Sequence, residues 1–118
     1  MADLQNDLIL TSENGESVKC RLAGTFLTRF IGFMGQKPPQ NRNGLLIRPC
    51  NSIHMFFMRF AIDVVFLDKD FNIIKLVRNL MPGKIVGVVS DAYQVLEVRA
   101  GDLPDSFSEG TRLSATSA

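Results

Sequence analysis

His54 is the only histidine in the sequence, and imidazole is the one side chain whose unperturbed charge change falls near neutral pH. As a general base it would need a nucleophile or an acid within hydrogen-bond reach. The nearest nucleophile in the sequence is Cys50, four residues earlier. Along an extended chain that is about 13 Å, so a Cys-His dyad requires a turn at Asn51-Ser52. The simpler reading is a structural histidine bonded to backbone or carboxylate. Arg59 and Asp63 flank a point where the apolar run must bend, and a guanidinium-carboxylate pair would tie such a corner. Alternatively, Arg29, His54, Arg59 and Asp63 converge as a ligand-binding group for a small polar or anionic ligand.

Other chemistries lack their residue patterns. Cys20 and Cys50 are far apart, and with one His they make a poor zinc set; no metal and no cofactor is expected. Asp68 and Asp70 have neither the spacing nor the glycine of a calcium loop. Gly83 and Gly87 lack the Lys-Ser/Thr that completes a phosphate loop. Glu97 stands alone on an apolar strand with no second carboxylate for a glycosidase pair; a basic side chain opposite would make it a cross-strand pair.

The 118 residues carry 13 Lys and Arg against 12 Asp and Glu, a formal net charge of +1. No bulk field directs the protein to nucleic acid or to an anionic membrane. Arg21, Arg29, Lys37, Arg42 and Arg48 have no carboxylate between them, which reads as a solvated face. The N-terminal residues lack the basic start and apolar run of a secretory signal. The richest apolar stretch, 53–67, is too short for a span and is broken by Arg59 and Asp63. A cytoplasmic monomer with two buried, reduced thiols is expected, a Cys20–Cys50 bond staying open because sequence does not give their distance in space, with no nucleic-acid or membrane partner.

These candidates must be positioned by short elements. Residues 8–11 and 18–22 form a predicted hairpin, with Asn14-Gly15 suited to a type I′ turn. Phe26, Phe30, Phe33 and Met34 recur at helical spacing, predicting one helix over 25–34 that ends at Gly35 before Pro38-Pro39. Further strands are predicted from Gly44, over 53–59, over 62–67, from Asn72, over 85–89 and over 93–99, with a closing strand near 111–113. The near-continuous apolarity of 53–67 implies that both faces of those strands are covered.

The expectation is a mainly β (α+β) fold: an antiparallel β-sandwich or partly closed barrel of about eight short strands with one helix near 25–34. The chain forms one domain over 1–118, with its core over 7–101 and a weakly structured, frayed tail over 102–118.

The ordered features resemble a known family. Ala23-x-Thr25-x-x-x-Arg29-x-x-Gly32-Phe33-Met34, then Gly44-Leu45-Leu46-Ile47, then the block Ile53-His54-x-Phe56-Phe57-Met58-Arg59-Phe60-x-Ile62-Asp63-Val64-Val65-Phe66-Leu67-Asp68, then Tyr93-x-Val95-Leu96-Glu97-x-x-x-Gly101 are similar to the bacterial and archaeal domain of unknown function 192. The resemblance implies a small, predominantly β domain. It implies no catalytic residue, substrate or cofactor.

Three functions stay open. The first is a small binding or accessory module with a polar groove for a small polar ligand or a partner chain. The second is a hydrolase-like enzyme using His54 with Cys50 or water. The third is an interaction domain whose sheet edge pairs with another protein.

Overall fold

Alternating apolar residues dictate the first two strands. Val18 and Cys20 are buried and Leu22 partly so, while Ser17, Lys19 and Arg21 are exposed, the period-two pattern of a strand with one wet face; Ala23, on the other face, is buried in a second apolar cluster. In the computed structural model, which describes residues 7–23, 43–56 and 58–118, they belong to β2 (Ser17–Ala23), antiparallel to β1 (Asp7–Thr11). The connection is not the expected type I′ turn. Gly15 alone is left-handed, at φ 94°, and its N–H closes a turn on the Ser12 carbonyl at 3.0 Å, the arrangement of a longer hairpin loop.

The remaining strands are β3 (Asn43–Ile47), β4 (Ile53–His54), β5 (Ile62–Leu67), β6 (Ile73–Leu80), β7 (Ile85–Val86), β8 (Gln94–Arg99) and β9 (Ser114–Ser117). Seven build one sheet in the order β6-β5-β8-β3-β2-β1-β9, and β4 pairs with β7 in a separate two-stranded layer. The fold is mainly β and mostly antiparallel, as expected. The large sheet is not closed, so the barrel expectation does not hold. One pair, β2 with β3, is parallel; parallel neighbours need a crossover of a dozen or more residues, and residues 24–42 supply that length. The predicted helix over 25–34 lies in this stretch, outside the described residues; among the described residues there is no helix.

β5 is buried at all six positions because it is central and both faces are covered. Val65, Leu67, Leu96 and Val98 belong to one apolar cluster; Ile62, Val64, Phe66 and Val95 belong to the other. The first cluster is completed by Leu103, Phe107 and Leu113. This departs from the frayed tail expected beyond residue 101. Phe107 is fully buried, and the stretch carrying it also covers the outer edge of β6. There the Leu76 N–H donates to Glu109 Oε2 at 2.9 Å, the Ile73 N–H donates to the Thr111 carbonyl at 2.8 Å, and Asn72 bridges Arg112. Isolated apolar residues without periodicity give no local signal, yet each fills a place in the core.

The second cluster is completed by Ile53, Met55 and Val86. The two-stranded layer is therefore a cover for this face of the sheet.

Candidate functional site

In the two-stranded layer Ile53 faces Val86 and His54 faces Ile85. The Met55 N–H donates to the Lys84 carbonyl at 2.7 Å and the Gly83 N–H to the Met55 carbonyl at 2.9 Å, which ties the turn over 81–84, leading into β7, to the end of β4. Side chains alternate across the layer. Ile53 and Val86, each 9% exposed, point into the core, and His54 and Ile85 point to solvent. The four large apolar side chains exposed among the described residues are Phe56 at 45%, Met81 at 49%, Ile85 at 61% and Val88 at 73%. All four lie on this layer or its immediate flanks. The His54 ring sits 5.1 Å from that of Phe56, tilted by 32°.

Basic side chains flank this face in the sequence, with Asp91 three residues beyond Val88. Arg59 and Lys84 are exposed, and the sequence has no carboxylate between Glu16 and Asp63, nor between Asp70 and Asp91. Among the described residues no ion pair involves His54, Arg59 or Lys84.

The residues singled out in the sequence separate. His54 and Arg59 are both exposed, while Asp63 is buried at 2% in β5. Its oxygens accept the Asn79 N–H at 2.8 Å and the Gly101 N–H at 3.1 Å. Its ionic partner is Arg78 at 3.6 Å, in place of the Arg59 suggested by sequence. Asn79 and Gly101 are left-handed, at φ 56° and 93°, so one carboxylate ties down two turns whose backbone donors would otherwise be unpaired. Arg78 also donates to the carbonyls of Leu103 and Pro104, each at 3.2 Å, which joins the last segment to β6. Arg29 lies outside the described residues.

Cys50 lines a shallow cleft of about 180 Å³ with Pro49, Asn51, Ala92 and Tyr93. His54 is not part of its wall, and the Cys50 thiol donates to the Ser52 carbonyl at 3.1 Å. The Cys-His pair is not assembled there. Cys20 is buried in the first cluster, where burial, reinforced by Asp7, pushes its thiol up to about 12. No disulfide joins the two. The Asp68 carboxylate is taken up by its own turn, accepting from Asp70, from the Asn72 backbone and from the Asn72 side chain, each at 2.9 Å. Among the described residues no group of three or more His, Cys, Asp or Glu is placed to hold a metal.

Sequence reasoning placed Glu97 on an apolar strand and anticipated a basic side chain opposite it. Its register neighbours are Leu45 on β3 and Val64 on β5, both apolar, so the anticipated basic partner across the strand is absent from those places. Glu97 is 6% exposed, and burial pushes its carboxyl up to about 7. The available signal was that β8 is apolar on both faces: Val95, Leu96 and Val98 leave no wet side for the glutamate between them.

The sequence pattern of domain of unknown function 192 (DUF192), described as "Uncharacterized ACR", matches residues 9–114. The chain belongs to the DUF192 family. Among DUF192 relatives, UPF0127 protein TK1120 of Thermococcus kodakarensis is 39% identical, over 72% of this chain and 62% of its own length. A Sinorhizobium meliloti protein of known structure superposes with a TM-score of 0.79 at 22% identity, covering 93% of this chain and 92% of that one. A protein of unknown function from Novosphingobium aromaticivorans gives 0.78 at 17%, covering 92% and 83%. Identities this low speak for the fold alone. The family description carries no activity. No helix among the described residues is long and apolar enough to cross a membrane.

Proposed function

We propose that this DUF192 domain is a protein-interaction module whose working face is the outer side of the β4–β7 layer, and that it takes a partner segment rich in acidic and apolar side chains. The observation that carries this reading is the gathering of Phe56, Met81, Ile85 and Val88 on one small layer. Single exposed apolar residues are ordinary, whereas four on or beside one two-stranded layer favour a contact surface. His54, Arg59 and Lys84 supply the polar rim and the sign of charge the partner must match. In this reading Asp63 is a structural group and His54 is a contact residue, with no proton-transfer role. A reducing, cytoplasmic setting suits the two unbonded thiols.

The test is fluorescence anisotropy with short labelled peptides that combine valine or phenylalanine with glutamate, compared with peptides carrying lysine at the glutamate positions. Acidic peptides are expected to bind, with affinity falling as salt rises. Phe56→Ala with Val88→Ser should weaken binding at least tenfold, about 1.4 kcal/mol, without lowering the melting temperature. Equal binding of acidic and basic peptides, or unchanged binding by the double variant, would refute the proposal.

A further inference from the structure

The β4–β7 layer has an outer edge as well as an outer face, and the two edges of the molecule on this side are treated differently. The outer edge of β6 is closed by the Glu109 carboxylate, the Thr111 carbonyl and the Asn72–Arg112 bridge. Among the described residues β7 has no such cover. The Met55 N–H to Lys84 carbonyl bond, combined with the register, makes Ile53 and Val86 the next mutually bonded pair. In an antiparallel ladder the intervening residue turns its own N–H and C=O to the other side, so those of Ile85 face away from β4.

Outside the β4–β7 ladder, no backbone hydrogen bond involves Ile85, Gly87 or Val88 among the described residues. A Cβ built on Gly87 meets nothing within 4 Å. An edge of this kind is normally blunted by lysine, proline, a bulge or a covering loop. β7 itself is short and follows Lys84, but Ile85-Val86-Gly87-Val88-Val89 carries no lysine or proline, and Ile85 and Val88 are its exposed large apolar members.

Resting on the interaction module proposed above, we infer that the partner binds as an added β-strand along the open edge of β7, an extended segment alternating apolar and acidic residues. Main-chain hydrogen bonds to the β7 edge would supply affinity. Ile85, Val88 and the adjoining Phe56 would take the apolar side chains, and Lys84, Arg59 and His54 would face the acidic ones. A second copy of this chain fits less well, because pairing β7 with β7 would bring the exposed Lys84 and Arg59 of both copies to one interface, and like charges across an interface oppose association.

The probe is a fluorescein-labelled peptide of alternating valine and glutamate. Two N-methylated versions carry the methyl groups on the valine amides or on the glutamate amides. Strand addition predicts that at least one methylated peptide loses binding tenfold or more. It also predicts that Gly87→Pro, which removes an edge N–H, weakens the parent peptide similarly, whereas Gly87→Ala leaves it within twofold. Thermal melts of both variants establish that they are folded, and the methylated peptides test the inference even if the proline variant is not. Binding that needs Phe56 and Val88 but tolerates both methylation patterns and Gly87→Pro would overturn strand addition and leave the interaction face standing. Failure of every acidic peptide to bind would overturn both readings. A concentration-dependent dimer that Gly87→Pro dissociates, or retention on phosphatidylserine vesicles without peptide binding, would overturn the choice of an acidic partner chain.

Discussion

Replacing Glu97 with glutamine tests the interior of the sheet most directly. The side chain sits between Leu45 and Val64 on neighbouring strands, and burial raises its carboxyl from an ordinary 4.5 to about 7. The folded protein therefore holds a proton that the unfolded chain releases. Below pH 4.5 both states are protonated and the folded state bears no charge penalty. Between pH 4.5 and 7 stability falls as pH rises, by up to ~1.4 kcal/mol per unit. Above pH 7 the loss levels off at about 3 kcal/mol. Glu97→Gln keeps the shape and removes the titration, so its stability should match the wild type near pH 4 and exceed it by about 3 kcal/mol at pH 8. Urea unfolding of both proteins at a series of pH values measures this difference, and the contributions of all other carboxylates cancel in the comparison. Carboxyl-carbon NMR should place the Glu97 titration near 7. Parallel stability curves, or a Glu97 titration at 4.5, would refute the argument that this carboxyl is desolvated and unpaired.

Three further outcomes follow from the packing and the bonds. Phe107→Ala should cost about 3–5 kcal/mol in urea unfolding, because the ring is fully buried; a value under about 1 kcal/mol would restore the frayed tail. Asp63→Ala should cost about 1–3 kcal/mol, since it removes the acceptor of the Asn79 and Gly101 N–H groups and the partner of Arg78. Arg59→Ala should leave stability within about 0.5 kcal/mol, and the reverse ordering in denaturant titrations would return the corner pair to Arg59. Iodoacetamide at pH 8 should modify half-buried Cys50 and spare Cys20, whose thiol is buried and raised to about 12; peptide mass mapping reads this, and equal labelling would show that the first core cluster opens.

Much of the strand order was legible because it rests on local pattern. The boundary at Ile62 follows from the impossibility of running one ordinary strand through the fifteen positions of 53–67, and β5 begins there. Alternation located β1, β2 and β8 to within a residue or two. The predicted strand over 53–59 shrinks to Ile53–His54, since the Met58 N–H turns back to the Met55 carbonyl at 3.2 Å and Phe56 is left outside. The parallel pairing of β2 with β3 could not be read locally, because register between distant strands is a tertiary property. The same holds for the exchange of Arg59 for Arg78 at Asp63: spacing offered the residue four positions away, whereas the neighbour across the β5–β6 pair supplies the contact. Of the candidate site, the polar members His54 and Arg59 were visible by type. The apolar members were hidden, because Phe56, Met81, Ile85 and Val88 carry core chemistry, and only their surroundings reveal that they are outside.

The β4–β7 layer breaks a rule that the rest of the sheet obeys. On β2 the exposed positions are Ser17, Lys19 and Arg21, and on β6 they are Lys75, Arg78 and Asn79, polar outward as a half-wet strand requires. On the small layer the inward positions Ile53 and Val86 conform, and of the outward pair His54 conforms while Ile85 does not. Requirements of the core do not explain Ile85, since its side chain faces away from the cluster that Val86 completes. Nor does chain geometry explain Val88, which a threonine would replace on an extended backbone at no conformational cost. Exposed apolar side chains beside an uncovered strand edge carry an aggregation hazard, whereas the other free apolar edge, that of β6, is covered by the segment containing Glu109 and Thr111. A chain that closes the β6 edge with its own residues and, among the described residues, leaves the β7 edge apolar and open beside Lys84 and Arg59 has the features of a surface completed by a partner.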